Sequence, residues 1–189
     1  MRAEVFRRSV LVRGPANFDG SGWKHNPAGP DYRKLRLDRP PKGMSPLDYA
    51  ANFEDFLNGK AKDQPFCFWY GGQEPHRTFL KGAGRAAGKK IEDVKVPGFL
   101  PDCEEVRSDI LDYYEEIEYF DTHLGRMLES LEQAGELENT LVVATSDNGM
   151  AFPRAKATMY EYGIHLPLAV SWPAHCPGGT QRGHRSESQ

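Results

Sequence analysis

One periodic segment constrains the fold of this 189-residue chain more than any other feature. Between residues 106 and 131, apolar side chains recur every three or four positions with Asp and Glu between them, and Gly135 follows. This spacing predicts a long amphipathic helix that ends near the glycine. Its apolar face is predicted to contain Val106, Ile110, Tyr113, Tyr114, Ile117, Phe120, Leu124, Leu128 and Leu131.

Three short apolar runs lie on either side of this helix in the sequence. Residues 65–70, 140–145 and 167–172 are each followed by turn-forming or small residues. The first two runs are typical of strands buried on both faces, and the third resembles them. A helix between short apolar strands predicts an α/β layered domain with a mainly parallel sheet flanked by helices.

The rest of the chain is less regular. Residues 1–44 are rich in Pro and Gly without any period, and they predict an irregular, loop-rich segment. Ser45 supplies an N-cap hydroxyl and Pro46 a first helical position, so a short helix is expected from there to Gly59. Residues 81–90 predict a loop, residues 45–175 the main domain, and residues 176–189 a frayed tail.

Composition excludes several classes of protein. Lys and Arg number 24 against 27 Asp and Glu, a net charge of -3, which argues against a nucleic-acid partner. No apolar run approaches the ~18 residues of a membrane span, and the first residues contain no apolar core of a signal peptide. Three widely spaced cysteines predict free thiols, with neither a disulfide framework nor a zinc pattern.

Polar residues follow the first two apolar runs, where ligands bind in open α/β sheets. Glu74, His76 and Arg77 follow the first run, and Asp147 and Asn148 follow the second. A carboxylate beside a carboxamide suits calcium or magnesium better than zinc, because both groups donate oxygen. The alternative interpretations are an ordinary Asp-Asn-Gly turn and a histidine that is merely solvated or satisfied.

Two basic residues, Arg154 and Lys156, follow a Phe-Pro corner a few positions later. They are candidates to bind an anion. The alternative is that both are solvated, as most basic residues in loops are.

Taken together, these positions resemble a known family. The segment Asn-Thr-Leu-Val-Val-Ala-Thr-Ser-Asp-Asn-Gly-Met (139–150), with 152–160 and 167–170, resembles the metal-binding segment of the sulfatases in the alkaline phosphatase-like superfamily. The resemblance extends back to residues 65–77, whose Glu-Pro-His-Arg form is most similar to the heparan N-sulfatase (sulfamidase) branch. It covers about residues 45–175, which are therefore expected to form part of a catalytic domain.

The resemblance implies a role for each candidate residue and a function for the chain. The implied activity is hydrolysis of sulfate esters or N-sulfate groups, with sulfated carbohydrate as the substrate class, in a periplasmic, extracellular or lysosomal-type location. The implied cofactor is Ca²⁺, and the nucleophile is a formylglycine made in a C/S-x-P-S/A-R motif. The implied residues are Asp147 and Asn148 as metal ligands, His76 and Lys156 as catalytic residues, and Glu74, Arg77 and Arg154 as substrate-binding residues.

The sequence departs from the family pattern at the nucleophile. None of Cys67, Cys103 and Cys176 lies in the motif, the serine form is absent as well, and no acidic pair on an opening strand precedes residue 45. Leu11-Val12 stands where relatives carry Gly-Lys before a Gly-Pro. We expect the later part of a sulfatase catalytic domain that is inactive alone, binds Ca²⁺ weakly or not at all, and self-associates through an unpaired sheet edge.

Two other functions are compatible with these residues. A phosphoester or phosphonate hydrolase of the same superfamily would use the same arrangement of metal and cations on another tetrahedral anion, although Glu-Pro-His-Arg favours sulfate. A non-catalytic remnant would retain the fold as a binding module or interaction protein.

Overall fold

The computed structural model describes the strand Arg7–Ser9 and residues 30–62 and 64–176. The predictions for residues 1–6, 10–29 and 177–189 lie outside the described residues. The chain divides into two compact units, Met1–Met127 and Leu128–Gln189. No helix in the described part of the chain is both long and apolar enough to cross a membrane.

Helices and short strands alternate along the described residues, as expected for an α/β protein. Two single-turn 3-10 helices, Ile91–Asp93 and Leu137–Asn139, lie between the main elements. The main elements in chain order are β1 (Arg7–Ser9), α1 (Tyr49–Gly59), β2 (Phe66–Phe68), α2 (Ala83–Ala86), α3 (Glu104–Gln133), β3 (Val142–Thr145), α4 (Glu161–Ile164) and β4 (Leu168–Ser171).

The strands form two separate two-stranded sheets. β1 pairs with β2 in parallel, with Arg7 opposite Phe66. β3 pairs with β4 antiparallel, with Val142 opposite Ser171, because the chain reverses direction in the segment between them. The mainly parallel sheet predicted from the sequence is therefore not confirmed, since the described residues contain one pair of each kind.

The prediction that the apolar runs are buried on both faces is wrong for this chain. All four residues of β4 are exposed, and Val143 of β3 is 52% exposed. Both described sheets have only two strands, so every strand is an edge strand with one side of its backbone unpaired in the ladder. The hydrophobic residues are where strands were expected, but burial requires neighbours that a two-stranded sheet does not provide.

The short helix α1 begins at Tyr49, three residues after the start expected from Pro46. Asp48, rather than Ser45, is its N-cap, and a carboxylate oxygen of Asp48 accepts a hydrogen bond from the Ala51 N–H (3.0 Å). Ser45 instead accepts a weak local hydrogen bond from the Leu47 N–H (3.3 Å).

Aromatic side chains join α1 to β2 and form the core of the first unit. The Phe53 ring contacts Phe68 edge-on with centroids 4.6 Å apart, and Phe56 contacts Phe66 and Phe68 at 5.5 and 5.1 Å. Phe53 and Phe56 are 3% and 6% exposed. This packing places the chain that leaves β2 beside the beginning of α1.

The long helix α3 confirms the prediction from periodicity. Gly135 has φ +70°, and the Glu136 N–H returns to the Leu131 carbonyl (2.9 Å), which ends the helix as the glycine predicted. Its buried face differs from the predicted stripe, because Tyr114 and Ile117 are exposed. The buried set includes the polar residues Asp112, Glu116 and His123.

One of these buried polar residues explains why residues 81–90 are not entirely a loop. Asp112 accepts hydrogen bonds from the Gly82 and Gly84 N–H groups (2.8 and 2.9 Å), which stabilise the start of α2. A Cβ at Gly84 would lie 2.5 Å from the Leu111 backbone, so only glycine allows this close approach of α2 to α3. The partner of this segment lies about thirty residues away, which explains why local sequence did not predict the helix.

Candidate active site

The loop that follows β2 contains the first group of candidate residues. Glu74 is buried in this loop, with 5% of the residue exposed. Its Oε1 accepts from the Ser45 N–H (2.6 Å) and its Oε2 accepts from the Tyr49 hydroxyl (2.9 Å). The Tyr49 oxygen in turn accepts from the Gln73 N–H (3.1 Å). These contacts favour a positioning role for Glu74 over the substrate contact expected from the sequence.

His76 is exposed and held by the backbone of the same loop. Its backbone N–H donates to the Gln73 carbonyl (2.9 Å), and its ring Nδ1 lies 2.5 Å from the Arg77 carbonyl oxygen. A carbonyl oxygen can only accept, so Nδ1 carries a proton in this arrangement. In the neutral ring Nε2 therefore has the lone pair, and in the imidazolium Nε2 becomes a second donor.

Arg77 is paired with a carboxylate of the protein. Its guanidinium makes a bidentate interaction with Asp109 of α3, with NH1 donating to Oδ1 at 3.1 Å and NH2 donating to Oδ2. Its Cζ also lies 4.4 Å from the centroid of the buried Phe79 ring. This geometry stabilises the loop beyond His76 and leaves the expected substrate contact of Arg77 a prediction.

Behind the loop lies a buried polar cluster that sequence reasoning missed. His123 is 2% exposed and lies against the Tyr49 and Tyr119 rings, with centroids 5.1 and 4.8 Å away. Its Nδ1 is 3.7 Å from Oδ1 of Asp48, which accepts from Arg126 at 2.8 Å. The available signal was the spacing of polar residues along α3, where Asp112, Glu116, Tyr119 and His123 share one face.

Burial, hydrogen bonds and charges within this cluster shift several pKa values. Burial lowers the pKa of His123 despite the nearby carboxylate of Asp48. Burial alone would raise the pKa of Asp48, but hydrogen bonds from Arg126 and the Ala51 N–H outweigh it, and that pKa is lowered. Burial and the charge of Glu74 raise the pKa of Glu116 from 4.5 to about 7. The cluster therefore contains one carboxyl group that titrates near neutrality.

In the second unit, Asp147 and Asn148 follow the end of β3 after Ser146, as predicted. The Asn148 amide nitrogen donates to Oδ1 of Asp147 (2.6 Å), and the Ser146 hydroxyl donates to the Asn148 carbonyl (2.9 Å). The carboxylate and amide oxygens are the donors that Ca²⁺ prefers, so the donor chemistry fits this ion. Among the described residues no group of three or more His, Cys, Asp or Glu could hold a metal, so these two side chains provide only part of a shell of six to eight oxygens.

The basic residues of the second unit lie in the segment after this loop. Arg154 is exposed, has φ +62°, and places its Cζ 4.8 Å from the Tyr160 ring centroid. Lys156 is half-buried, and its backbone N–H donates to the Met150 carbonyl (3.1 Å). This hydrogen bond returns the chain to a point two residues after Asn148, so Lys156 and the two predicted metal ligands belong to one folded segment.

Glycine is required where this segment meets α4. A Cβ at Gly149 would lie 1.9 Å from the Tyr162 carbonyl oxygen, and one at Gly163 would lie 2.3 Å from the Thr158 carbonyl oxygen. Both distances are far below a normal contact, so neither position accepts another residue without movement of the backbone. The Asp-Asn-Gly turn is thus fixed partly by packing.

The family model named Sulfatase matches residues 14–188. The chain belongs to the sulfatase family. The resemblance inferred from the residues after β2 and β3 is confirmed.

Individual relatives of this sulfatase-family chain agree with that assignment. It is 34% identical over 134 residues to the N-sulphoglucosamine sulphohydrolase of Homo sapiens, covering 60% of this chain and 27% of that protein. It is 33% identical over 78 residues to an ulvan-active sulfatase of Formosa agariphila, covering 41% of this chain and 13% of that protein. The chain thus spans less than a third of the length of either relative.

A solved structure supports the fold. A Bacteroides fragilis protein assigned to the sulfatases matches with a TM-score of 0.54 and 27% identity, covering 67% of this chain and 30% of that one. Family and structural neighbour together imply an alkaline phosphatase-like α/β fold for the sulfatase-family chain.

Proposed function

We propose that the chain is the later part of a sulfatase catalytic domain that hydrolyses sulfate esters or N-sulfate groups of sulfated carbohydrates. The observation that carries the proposal is the sulfatase match over the segment after β3 in which the Lys156 backbone N–H bonds to the Met150 carbonyl, two residues after Asn148. Relatives named N-sulphoglucosamine sulphohydrolase, ulvan-active sulfatase and N-acetylglucosamine-6-O-sulfatase support a carbohydrate substrate.

Each residue then has a chemical role. Asp147 and Asn148 would hold Ca²⁺, which supplies positive charge against the oxygens of the sulfate group. Lys156 would bind a sulfate oxygen as a point charge, and the exposed Arg154 would bind substrate. His76, with Nδ1 on a carbonyl, would donate from Nε2 to the leaving atom when the ring is protonated.

We also propose that these 189 residues do not turn over substrate alone. The formylglycine motif is absent from their sequence, so the nucleophile would come from a complementing polypeptide. Turnover of an aryl sulfate and of N-sulfoglucosamine should appear only after the matching N-terminal portion of a sulfatase, carrying formylglycine, is added. Unchanged zero turnover in the correctly assembled pair would favour the non-catalytic remnant, and faster turnover of a phosphate ester or phosphonate would favour the phosphoester or phosphonate hydrolase.

Matched variants in the complemented pair test the individual roles. His76→Gln should lower kcat/KM for the aryl sulfate by about 100-fold or more, since general acid catalysis contributes about 10²–10⁴. Lys156→Met should lower it by about 100-fold as well, since it removes a positive charge from the developing negative charge of the sulfate group. His165→Gln and Lys95→Met change the same residue types at other exposed positions and should leave kcat/KM unchanged. Equal losses in variants and controls would contradict the assigned roles.

The partial metal site is tested by calorimetry. Titration of the 189-residue chain with Ca²⁺ should show weak or no specific binding, because two side chains supply too few of the oxygens that calcium needs. A tight, stoichiometric site that Asp147→Asn abolishes would show that the chain contains a complete site.

The exposed edges of β3 and β4 should also cause self-association, and a clean monomer by light scattering would argue against it.

A further inference from the structure

The buried side chain of Glu74 anchors the loop around His76. Glu74 lies two residues before His76, and both of its carboxylate oxygens are used by α1 and the chain that leads into it. The Tyr49 hydroxyl that donates to Glu74 also accepts from the Gln73 N–H, so the loop backbone and the carboxylate share one anchor. A second support comes from α3, where the Tyr119 hydroxyl donates to the Ser45 carbonyl (2.8 Å).

We propose that Glu74 is a positioning residue for His76. The Glu74 carboxylate fixes the loop, so that the His76 ring keeps its Nδ1 proton on the Arg77 carbonyl and leaves Nε2 available to a bound molecule. The proposal rests on the proposed function only in the role that it gives to Nε2, which is to donate a proton to the leaving atom. The positioning itself follows from the contacts of the first unit.

The chemistry of the two donors explains why a carboxylate is needed. Ser45 N–H and Tyr49 O–H both donate to Glu74, so the side chain at position 74 must offer two acceptors. A glutamine would present an N–H₂ group to one of these donors, which leaves a buried donor unpaired. An aspartate keeps both acceptors on a shorter side chain and should restore part of the anchor.

The test reads the histidine directly. In the full 189-residue chain with ¹⁵N-labelled histidine, the neutral ring of His76, assigned by its loss in His76→Gln, should carry its proton on Nδ1. In Glu74→Gln the population of this form should fall roughly ten-fold or more relative to the Nε2-protonated form, because losing a hydrogen bond to a charged acceptor changes equilibria by about that factor or more. Glu74→Asp should recover part of the original population.

Two further variants keep the test decisive. Glu54→Gln removes an exposed carboxylate of α1 and should leave the His76 signal unchanged. Should Glu74→Gln fail to fold, Tyr49→Phe removes one of the two donors while keeping the aromatic ring, and it should produce the same change to a smaller degree. A folded Glu74→Gln or Tyr49→Phe protein with an unaltered His76 signal would overturn the proposal.

Turnover separates this inference from the proposed function. In the complemented enzyme, Glu74→Gln should lower kcat for the aryl sulfate with KM nearly constant, and Glu74→Asp should restore part of it. A shifted His76 signal together with unaffected turnover would retain the positioning role and reject the use of His76 in hydrolysis. A lowered kcat with an unshifted His76 signal would reject the positioning role.

Discussion

The two regions that contain the candidate residues are built in opposite ways. The loop of Glu74 and His76 is held by the buried Tyr49 of α1 through Glu74 and by Asp109 of α3 through Arg77, and the aromatic core between α1 and β2 packs next to it. The segment of Asp147 and Lys156 is fixed mainly by its own backbone, and the strands on either side of it are largely exposed. The first region should therefore keep its geometry by itself, whereas the second depends more on whatever covers β3 and β4.

The largest expected contrast comes from truncating one apolar side chain in each region. Phe53→Ala should reduce the free energy of unfolding by about 3–5 kcal/mol, because Phe53 is only 3% exposed and its removal leaves a cavity in the core. Val143→Ala, at 52% exposure, should cost less than about 1 kcal/mol. Urea denaturation followed by circular dichroism measures both, and equal costs would show that β3 is covered in solution.

A second contrast concerns pH. The pKa of Glu116 is raised to about 7, so between pH 4.5 and 7 the folded chain holds a proton that the unfolded chain has lost. Stability should therefore fall as pH rises through this range and level off above it, by up to about 3 kcal/mol, since each unit of pKa difference corresponds to about 1.4 kcal/mol.

Glu116→Gln should remove this dependence and make the chain more stable than the parent at pH 9. Glu129→Gln, an exposed position on the same helix, should leave the slope unchanged. Urea midpoints at pH 5, 7 and 9 decide the matter, and a parent chain whose stability is flat over this range would contradict the buried, proton-binding state of Glu116.

The smallest effect is expected in the second region. Gly149→Ala places a methyl group on the Tyr162 carbonyl and should lower the protection of the 146–165 backbone by about 1–2 kcal/mol in amide hydrogen exchange. The loss is limited, because a weakly covered region cannot lose more than its own opening free energy. Gly59→Ala, where a Cβ meets nothing within 4 Å, is the control, and matching losses would mean that Gly149 is not held against α4.

The structural features that were predicted correctly depend on residues that lie close together in the sequence. The period of α3 and its ending near Gly135 depend on neighbouring residues, and both were predicted correctly. The start of α1 was placed three residues too early, because the side chain of Asp48 and not that of Ser45 caps the helix. The prediction that the strands are buried was wrong, because burial requires neighbouring strands or helices and a run of apolar residues does not show whether they are present.

The candidate site shows the same division. The position of Asp147 and Asn148 at the end of β3 followed from the turn residues and the strand before them. The partners of Glu74 and Arg77 come from 25 to 32 residues away, and spacing along the chain carries no information about them. The polar face of α3 was overlooked because Asp and Glu between apolar positions usually indicate a solvated surface.

The close approach of Gly149 to the Tyr162 carbonyl affects how mutational scans of this segment should be read. Glycine will be preferred at position 149 whether or not the protein is selected for turnover, because the restriction comes from the backbone. The Asn148 amide donates to the Asp147 carboxylate (2.6 Å), so intolerance at these two positions would report either this hydrogen bond or selection for chemistry. A scan that pooled all three positions into one motif would credit catalysis with a signal that belongs to the fold.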